Sequence, residues 1–425
     1  MMNKITHFLS MLGPGLLWAG AAVGVSHLVQ STQAGARFGF SMLLVVILAN
    51  LLKYPFFEFG PRFAAATGHT LMTGYRKLGH WAFYLYLALT LLTMFIIQGV
   101  VTIVTAGLVI YLFDLQSLSA QMVSLLILLF GMIILLLGRY SALDRVIKYM
   151  IILLAFATLA AVIIAFENVY DTARFAVIES TFNPRSLFEN ELAILFLIPL
   201  MGWMPSAIDV SVWSSIWTTE KHKENPDATS LKNALLDFNI GYVGTAVLAL
   251  GFLAMGALMM YNTGVDFSAM SAGKFAATVI GMYTDSIGAW SKYLVGFAAL
   301  ATMASTTITC LDAYGRVCAK SLSLIRYDHD DDERSYPFWV IFTIAGAMAL
   351  LYAGQYLSLS SLVAFATTMS FLTAPILAYL NMRVVNSAMV PLEARPGKKM
   401  MALSWVGLLF LSGFSAIYLL QLVLR

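Results

Sequence analysis

Hydrophobic and polar positions along this chain fall into long blocks. Apolar runs of roughly 20 residues, the length that crosses a bilayer as an α-helix, alternate with short polar stretches. The pattern predicts eleven spans, near residues 12 to 34, 40 to 62, 82 to 112, 120 to 138, 146 to 166, 190 to 217, 235 to 260, 287 to 315, 337 to 354, 357 to 382 and 401 to 424. Two spans are interrupted. In the first, Gly24-Val25-Ser26-His27 puts a flexible residue, a hydroxyl and an imidazole where mid-bilayer should fall; in the sixth, Leu200 to Asp209 (LMGWMPSAID) puts Gly202 and Pro205 inside an apolar run. Unpaired backbone at membrane depth is tolerated only where it is buried in protein or lines a cavity. Both interruptions therefore read as broken helices around a solute site at the midplane.

Composition agrees with an all-α polytopic membrane protein: 60% of the residues are hydrophobic and 11% charged. The net charge of +3 is small and the Lys and Arg residues sit between apolar blocks, so nucleic acid is not an expected partner. Cys310 and Cys318 lie eight apart in one apolar segment, about 12 Å at the helical rise, too far to bridge. The opening MMNKITHFLSMLGPG has no small-residue cleavage site before the first span and predicts no removable signal peptide. With the N-terminus inside, 18 of the 25 basic residues fall on the cytoplasmic side and six on the other, with Lys53 inside the second span. That asymmetry predicts N-in, C-out topology, with the inner membrane of a bacterium as the expected location.

The arrangement suggests two five-span halves, residues 1–166 and 190–382, joined by an outer loop at 167–189 and followed by a linker and peripheral eleventh span at 383–425. A break opens each half, and an odd number of spans per half inverts the second relative to the first. This is the 5+5 inverted-repeat plan of the leucine-transporter type.

Particular residues then carry a family resemblance. The opening GPGLL, QAGARFGF after the first break, Met204-Pro205 in the sixth span and Ser305-Thr306-Thr307-Ile308-Thr309 in the eighth resemble the Nramp family of proton-coupled divalent-metal transporters. The resemblance implies an ion-coupled transporter and a metal site at the two breaks. In the family the first break reads Asp-Pro-Gly-Asn, with the Asp and Asn as ligands; here Gly24 falls at the Asp and His27 at the Asn. Met204 keeps the ligand thioether and Met201 its backbone carbonyl, but the His that follows Met-Pro in the family is Ser206, and the centre of span three, around Gln98, is neutral.

These departures change the expected chemistry. Imidazole, thioether and carbonyls leave a divalent ion without a neutralising anion, whereas the resumed helices point partly positive N-terminal ends at the site. A small anionic or polar solute such as a carboxylate is the favoured substrate, held by Gly24, Ser26, His27, Met201, Met204, Ser206 and Asp209. The alternative is a proton-coupled divalent-metal transporter using His27 and Met204. Each residue also has a structural reading: His27 as a cap, Ser206-x-x-Asp209 as a capping box, Met204 as core. Coupling or gating is assigned to Gln98, Ser305, Thr306, Thr309, Asp312 and the i, i+4 pair Glu58 and Arg62, with sodium held between the Gly20 to Val23 carbonyls and eighth-span hydroxyls, or else a proton as the coupling ion. The acidic run Asp328 to Glu333 reads as a solvated loop. No cofactor and no obligate protein partner are expected, only solute, ion and bilayer. Enzyme motifs are not evident; a receptor or sensor on the same fold is the other class kept open.

Overall fold

The computed structural model describes residues 13–424 except 139, 171, 184–186, 188–190, 225–228, 268–269 and 331, and the side chains of these residues except 140–148, 191–192, 194 and 421–424. The stretch read for a cleavage site, the basic residues Lys4, Arg139, Arg185 and Arg425 and the side chains of Arg145 and Lys148 lie outside it.

The described residues form a bundle of helices. The first span is split into Pro14–Ala22, a π-helical turn Ser26–Ser31 and Thr32–Phe38. The second is Leu43–Thr67, the third His80–Leu112, the fourth Ala120–Leu136 and the fifth Tyr140–Tyr170. The sixth is split into Glu191–Trp203 and Val210–Glu224. Then come Leu231–Met260, Ser291–Tyr327, Tyr336–Ala353, Leu359–Val385 and Lys398–Leu424 as spans seven to eleven. Among the described residues, eight helices are long and apolar enough to cross a membrane, and the shorter fourth and the two split spans complete the set. Large apolar side chains such as Leu51, Phe130, Phe156 and Leu409 cover the outside, where lipid rather than water is the solvent.

Two differences from the sequence reading have physical causes. The eighth span continues past the expected end at 315, because Arg316 and Lys320, charges that read as loop, are paired with acidic side chains. A further helix, Ala272–Ile287, fills the connection before it; its Ser271 side chain accepts from the Lys274 N–H, which is a cap in a stretch where no span was expected.

The first and seventh spans meet backbone to backbone. A Cβ on Gly35 would collide with Leu253 O, and one on Gly256 with Thr32 O. Such small-residue contacts let membrane helices approach closely. At the other end Asp237 of the seventh span accepts from the Gly13 and Gly15 N–H groups, at 3.1 and 2.8 Å, capping the first helix with a carboxylate where its dipole is positive. The GPG opening is therefore a docking point, and the break beyond it is held in register with span seven.

Candidate functional site

The first helix ends with the Val23 N–H donating to Ala19 O at 2.8 Å, and the chain resumes with His27 and Leu28 N–H donating to Gly24 O at 3.1 and 3.0 Å. Carbonyls stranded between these bonds are met by side chains. Thr306 of the eighth span has its hydroxyl 2.9 Å from Gly20 O and 3.1 Å from Val23 O, and Ser26 donates to Ala22 O at 2.8 Å. Gly24 packs directly on Thr306: an added Cβ would lie 2.9 Å from Oγ1. The position that carries a ligand carboxylate in the resembled pattern thus has no space for one in this packing.

In the sixth span the Met204-Pro205 bond is cis, and the carbonyls of Met201, Gly202 and Ser206 converge on Lys53 Nζ at 3.0, 3.1 and 2.7 Å. An ammonium has three N–H donors, and all three are used. Helix resumes directly after Asp209, whose carbonyl accepts from the Val212 N–H at 2.9 Å, so Asp209 occupies the position just before the helix. Its Oδ2 accepts from the Tyr314 hydroxyl at 3.4 Å. Its Oδ1 makes no hydrogen bond of good geometry, although the residue is only 7% exposed, and the neighbouring backbone N–H groups of Asp209 and Val210 satisfy the carboxylate only in part. Leaving a buried carboxylate oxygen short of partners is costly, by about 1–3 kcal/mol, unless something else visits it.

Between the breaks lies a cavity of about 30 Å³, room for about two water molecules. Its wall includes Val25 and Ser26 of the first span, Ile97 and Val101 of the third, Trp203, Ser206, Asp209 and Trp213 of the sixth, and Thr306 and Cys310 of the eighth. Asp209 also borders a second void of about 10 Å³ beside Thr90, Thr93 and Ser370. A larger vestibule of about 490 Å³ opens near Gln30, Gln33 and Arg37. Both cavities are bounded by bonds to the tenth span: Gln30 at the vestibule donates to Thr367 at 3.2 Å, and Trp203 at the central cavity donates to Ser370 at 2.7 Å.

The structure therefore brings Ser26, Ser206, Asp209 and Thr306 to one cavity. His27 is elsewhere: its Nε2 donates to Thr245 O of the seventh span at 2.9 Å, and its Nδ1 lies 2.7 Å from the Ser26 hydroxyl, whose single proton it shares with Ala22 O, so both ring nitrogens face protein. Met204 is fully buried and is not part of the wall, and Met201 gives its carbonyl to Lys53. His27 and Met204 share no face on this cavity, and no group of three His, Cys, Asp or Glu suited to a metal occurs among the described residues.

Of the coupling candidates, Ser305 Oγ lies beside Gly20, 3.3 Å from where a Cβ would stand, and Thr309 is buried one turn along. Gln98 donates to Thr102 Oγ1 and Thr307 O, both at 3.2 Å, tying the third span to the eighth. Asp312 is engaged by Arg316 at 3.0 Å and by the Tyr336 hydroxyl at 2.7 Å, away from the cavity wall. Glu58 and Arg62 form the i, i+4 pair read from the sequence, with Nε to Oε2 at 2.8 Å, and Arg62 also donates to Ala394 O at 2.8 Å.

The described part of the acidic run is a partly exposed loop, with pairings that the sequence does not show. Its described members clasp the structure: Asp330 accepts from Thr70 and Thr73 at 2.7 and 2.9 Å, Asp328 pairs with Arg76 at 3.3 Å, and Glu333 pairs with both Arg316 and Lys320 at 3.0 Å. Lys320 is only 2% exposed, and neutralising it keeps this part of the run from being a free solvated loop. Lys53 is the site residue that sequence reasoning left without a role. A lysine inside an apolar span was the available signal; its partners are three backbone carbonyls, which no side-chain pattern reveals.

The profile of the natural resistance-associated macrophage protein-like family matches residues 15–421. A protein of Pasteurella multocida (strain Pm70), itself uncharacterised, is 34% identical over 410 residues, covering 96% of this chain and 92% of that one. A divalent metal cation transporter of Staphylococcus aureus is 24% identical over 315 residues, 71% of this chain and 67% of its own. The crystal structure of a manganese transporter variant from Eremococcus coleocola superposes with a TM-score of 0.70 at 15% identity, over 97% of this chain and 86% of that one. At that identity the likeness establishes the fold, which is the leucine-transporter type with its first and sixth helices broken. The chain belongs to the Nramp (natural resistance-associated macrophage protein-like) family and is a multi-pass membrane protein built as a secondary transporter.

Proposed function

We propose that this transporter moves a small polar solute of the carboxylate class that carries its own hydrogen-bond donor, such as an amino or hydroxy acid, by alternating access around the two breaks. The observation that carries the reading is Asp209 Oδ1, buried at the cavity without a hydrogen bond of good geometry. A donor on the solute would meet it. The carboxylate would face the start of the resumed first helix at Val25 and Ser26, where the helix dipole favours an anion. With room for about two waters, the cavity as seen is contracted, and loading requires the bonds from Gln30 and Trp203 to the tenth span to open.

A bare divalent ion fits less well. Asp209 supplies one negative charge and Lys53 one positive charge nearby, so two further positive charges would be buried uncompensated. A divalent metal cation, the substrate class of the Staphylococcus aureus relative, is therefore the alternative for this chain and not its first reading.

Coupling by sodium has support in the Gly20 and Val23 carbonyls, the Thr306 hydroxyl and the neighbouring Ser305, oxygens of the kind a monovalent cation requires. A proton is the rival coupling ion. Spans one to five and six to ten act as the inverted halves in this reading, with the N-terminus cytoplasmic and the protein in a bacterial inner membrane. A stability screen of the purified protein tests the solute class: glycine, alanine, lactate, acetate and manganese, each in sodium and in choline chloride. Donor-bearing carboxylates should raise the melting point, most strongly in sodium. Stabilisation by manganese alone would reject the reading.

A further inference from the structure

We infer that Lys53 is a tethered cation: its ammonium fills the carbonyl cradle at the sixth-span break, holding the unwound backbone in shape and excluding free cations from it.

A lysine in a membrane helix ordinarily runs its head to the surface along its apolar stem. Lys53 does the opposite. It is 1% exposed, its stem is enclosed, and the ammonium lies 5.6 Å from the centre of the Phe57 ring. All three donors go to backbone carbonyls, two from the last turn of Glu191–Trp203 and one from Ser206 on the far side of the cis Met204-Pro205 bond. The end of a helix carries partial negative charge, and carbonyls freed by an interruption are the groups that coordinate small cations in broken-helix transporters. Here the cation is covalently supplied. It cannot be exchanged during the transport cycle, so the break keeps its shape whether or not the solute site is loaded. Lys53 and Asp209 also attract one another across the break, which leaves the pair neutral overall and disfavours any solute with a large net charge. Lys53 is thus a positioning and charge-setting residue, and the assignment holds whichever solute occupies the cavity.

Rescue by an added cation separates this role from ordinary packing. Full-length Lys53→Ala leaves both the cradle and the space of the stem empty; Lys53→Met keeps the stem and removes the charge. Each is melted in methylammonium chloride and in tetramethylammonium chloride at equal ionic strength and fixed sodium. The unmodified protein should melt alike in the two salts. Lys53→Ala should melt lower in tetramethylammonium and recover at least half of the loss, saturably, in methylammonium, which is small and carries three N–H donors. Lys53→Met should melt lower in both, because the stem blocks entry. A Lys53→Met protein as stable as the unmodified one would overturn the inference. So would Lys53→Ala that methylammonium does not restore, including the case where it is recovered only as aggregate in both salts.

Discussion

Thr306→Val keeps a branched side chain and removes one hydroxyl, and that hydroxyl is central to the coupling argument. It stands 2.9 Å from Gly20 O and 3.1 Å from Val23 O, carbonyls that the first break has stripped of helical partners. An unsatisfied buried carbonyl costs about 1–3 kcal/mol, and these two share one proton donor with Thr302 O at 3.2 Å, so the substitution should cost the fold about 1–3 kcal/mol. Its effect on a bound ion is separable. Removing one oxygen from a sodium site should weaken binding by about 1–2 kcal/mol, roughly 5- to 30-fold. The assay is thermal unfolding of detergent-purified protein titrated with sodium chloride against choline chloride at constant ionic strength. An ion bound only by the folded state adds RT ln(1 + [L]/Kd), about 1.4 kcal/mol at ten times Kd. The unmodified protein should therefore melt higher as sodium rises. Thr306→Val should start lower in choline and need roughly tenfold more sodium for the same gain. An unmodified protein that melts alike in sodium and choline, or a variant with an unshifted sodium midpoint, would refute the placement of sodium here.

Other consequences follow from the same geometry. Gly24→Ala forces a methyl group against Thr306 Oγ1 at 2.9 Å and should lower stability by about 1–3 kcal/mol, read as a lower melting point; an unchanged melting point would mean that the break has more room than the packing indicates. His27→Ala removes the bridge to Thr245 O, so stability should fall by about 1–3 kcal/mol while solute affinity stays within about twofold; a tenfold loss of affinity would put the ring back in the solute site. Cys310 lines the cavity whereas Cys318 does not, so in a Cys318→Ser background a small thiol reagent should label Cys310, and a solute that stabilises the protein should slow that labelling. Labelling that no stabilising ligand slows would count against the cavity as the solute site.

Much of the fold is legible in the sequence because lipid imposes long apolar runs, and the two breaks are legible because Gly24, Gly202 and Pro205 interrupt such runs with polar neighbours. The hydroxyls of Ser305 and Thr306 also stand opposite the first break, as their places in two long apolar runs suggest. What the sequence hides is direction. Ser26 and His27 are adjacent, yet one faces the cavity and the other faces span seven, and a π-helical turn sets that division. Lys53 looks like an isolated charge because its partners are carbonyls, and Asp209 looks like the fourth member of a capping box until the helix is seen to begin after it. The run from Asp328 to Glu333 looks solvated because its partners, Thr70, Arg76, Arg316 and Lys320, come from distant parts of the chain.

The claim that most needs a direct test is that the incompletely satisfied Asp209 oxygen receives a donor on a small carboxylate solute. Proteoliposomes holding the unmodified protein or Asp209→Asn should be compared for uptake of labelled alanine, lactate and manganese under imposed sodium and proton gradients. The account predicts gradient-driven uptake of at least one of the two organic acids by the unmodified protein, a loss of at least tenfold in Asp209→Asn, and little manganese uptake by either. Saturable, high-affinity manganese uptake by the unmodified protein, or organic-acid uptake that Asp209→Asn leaves unchanged, would contradict it.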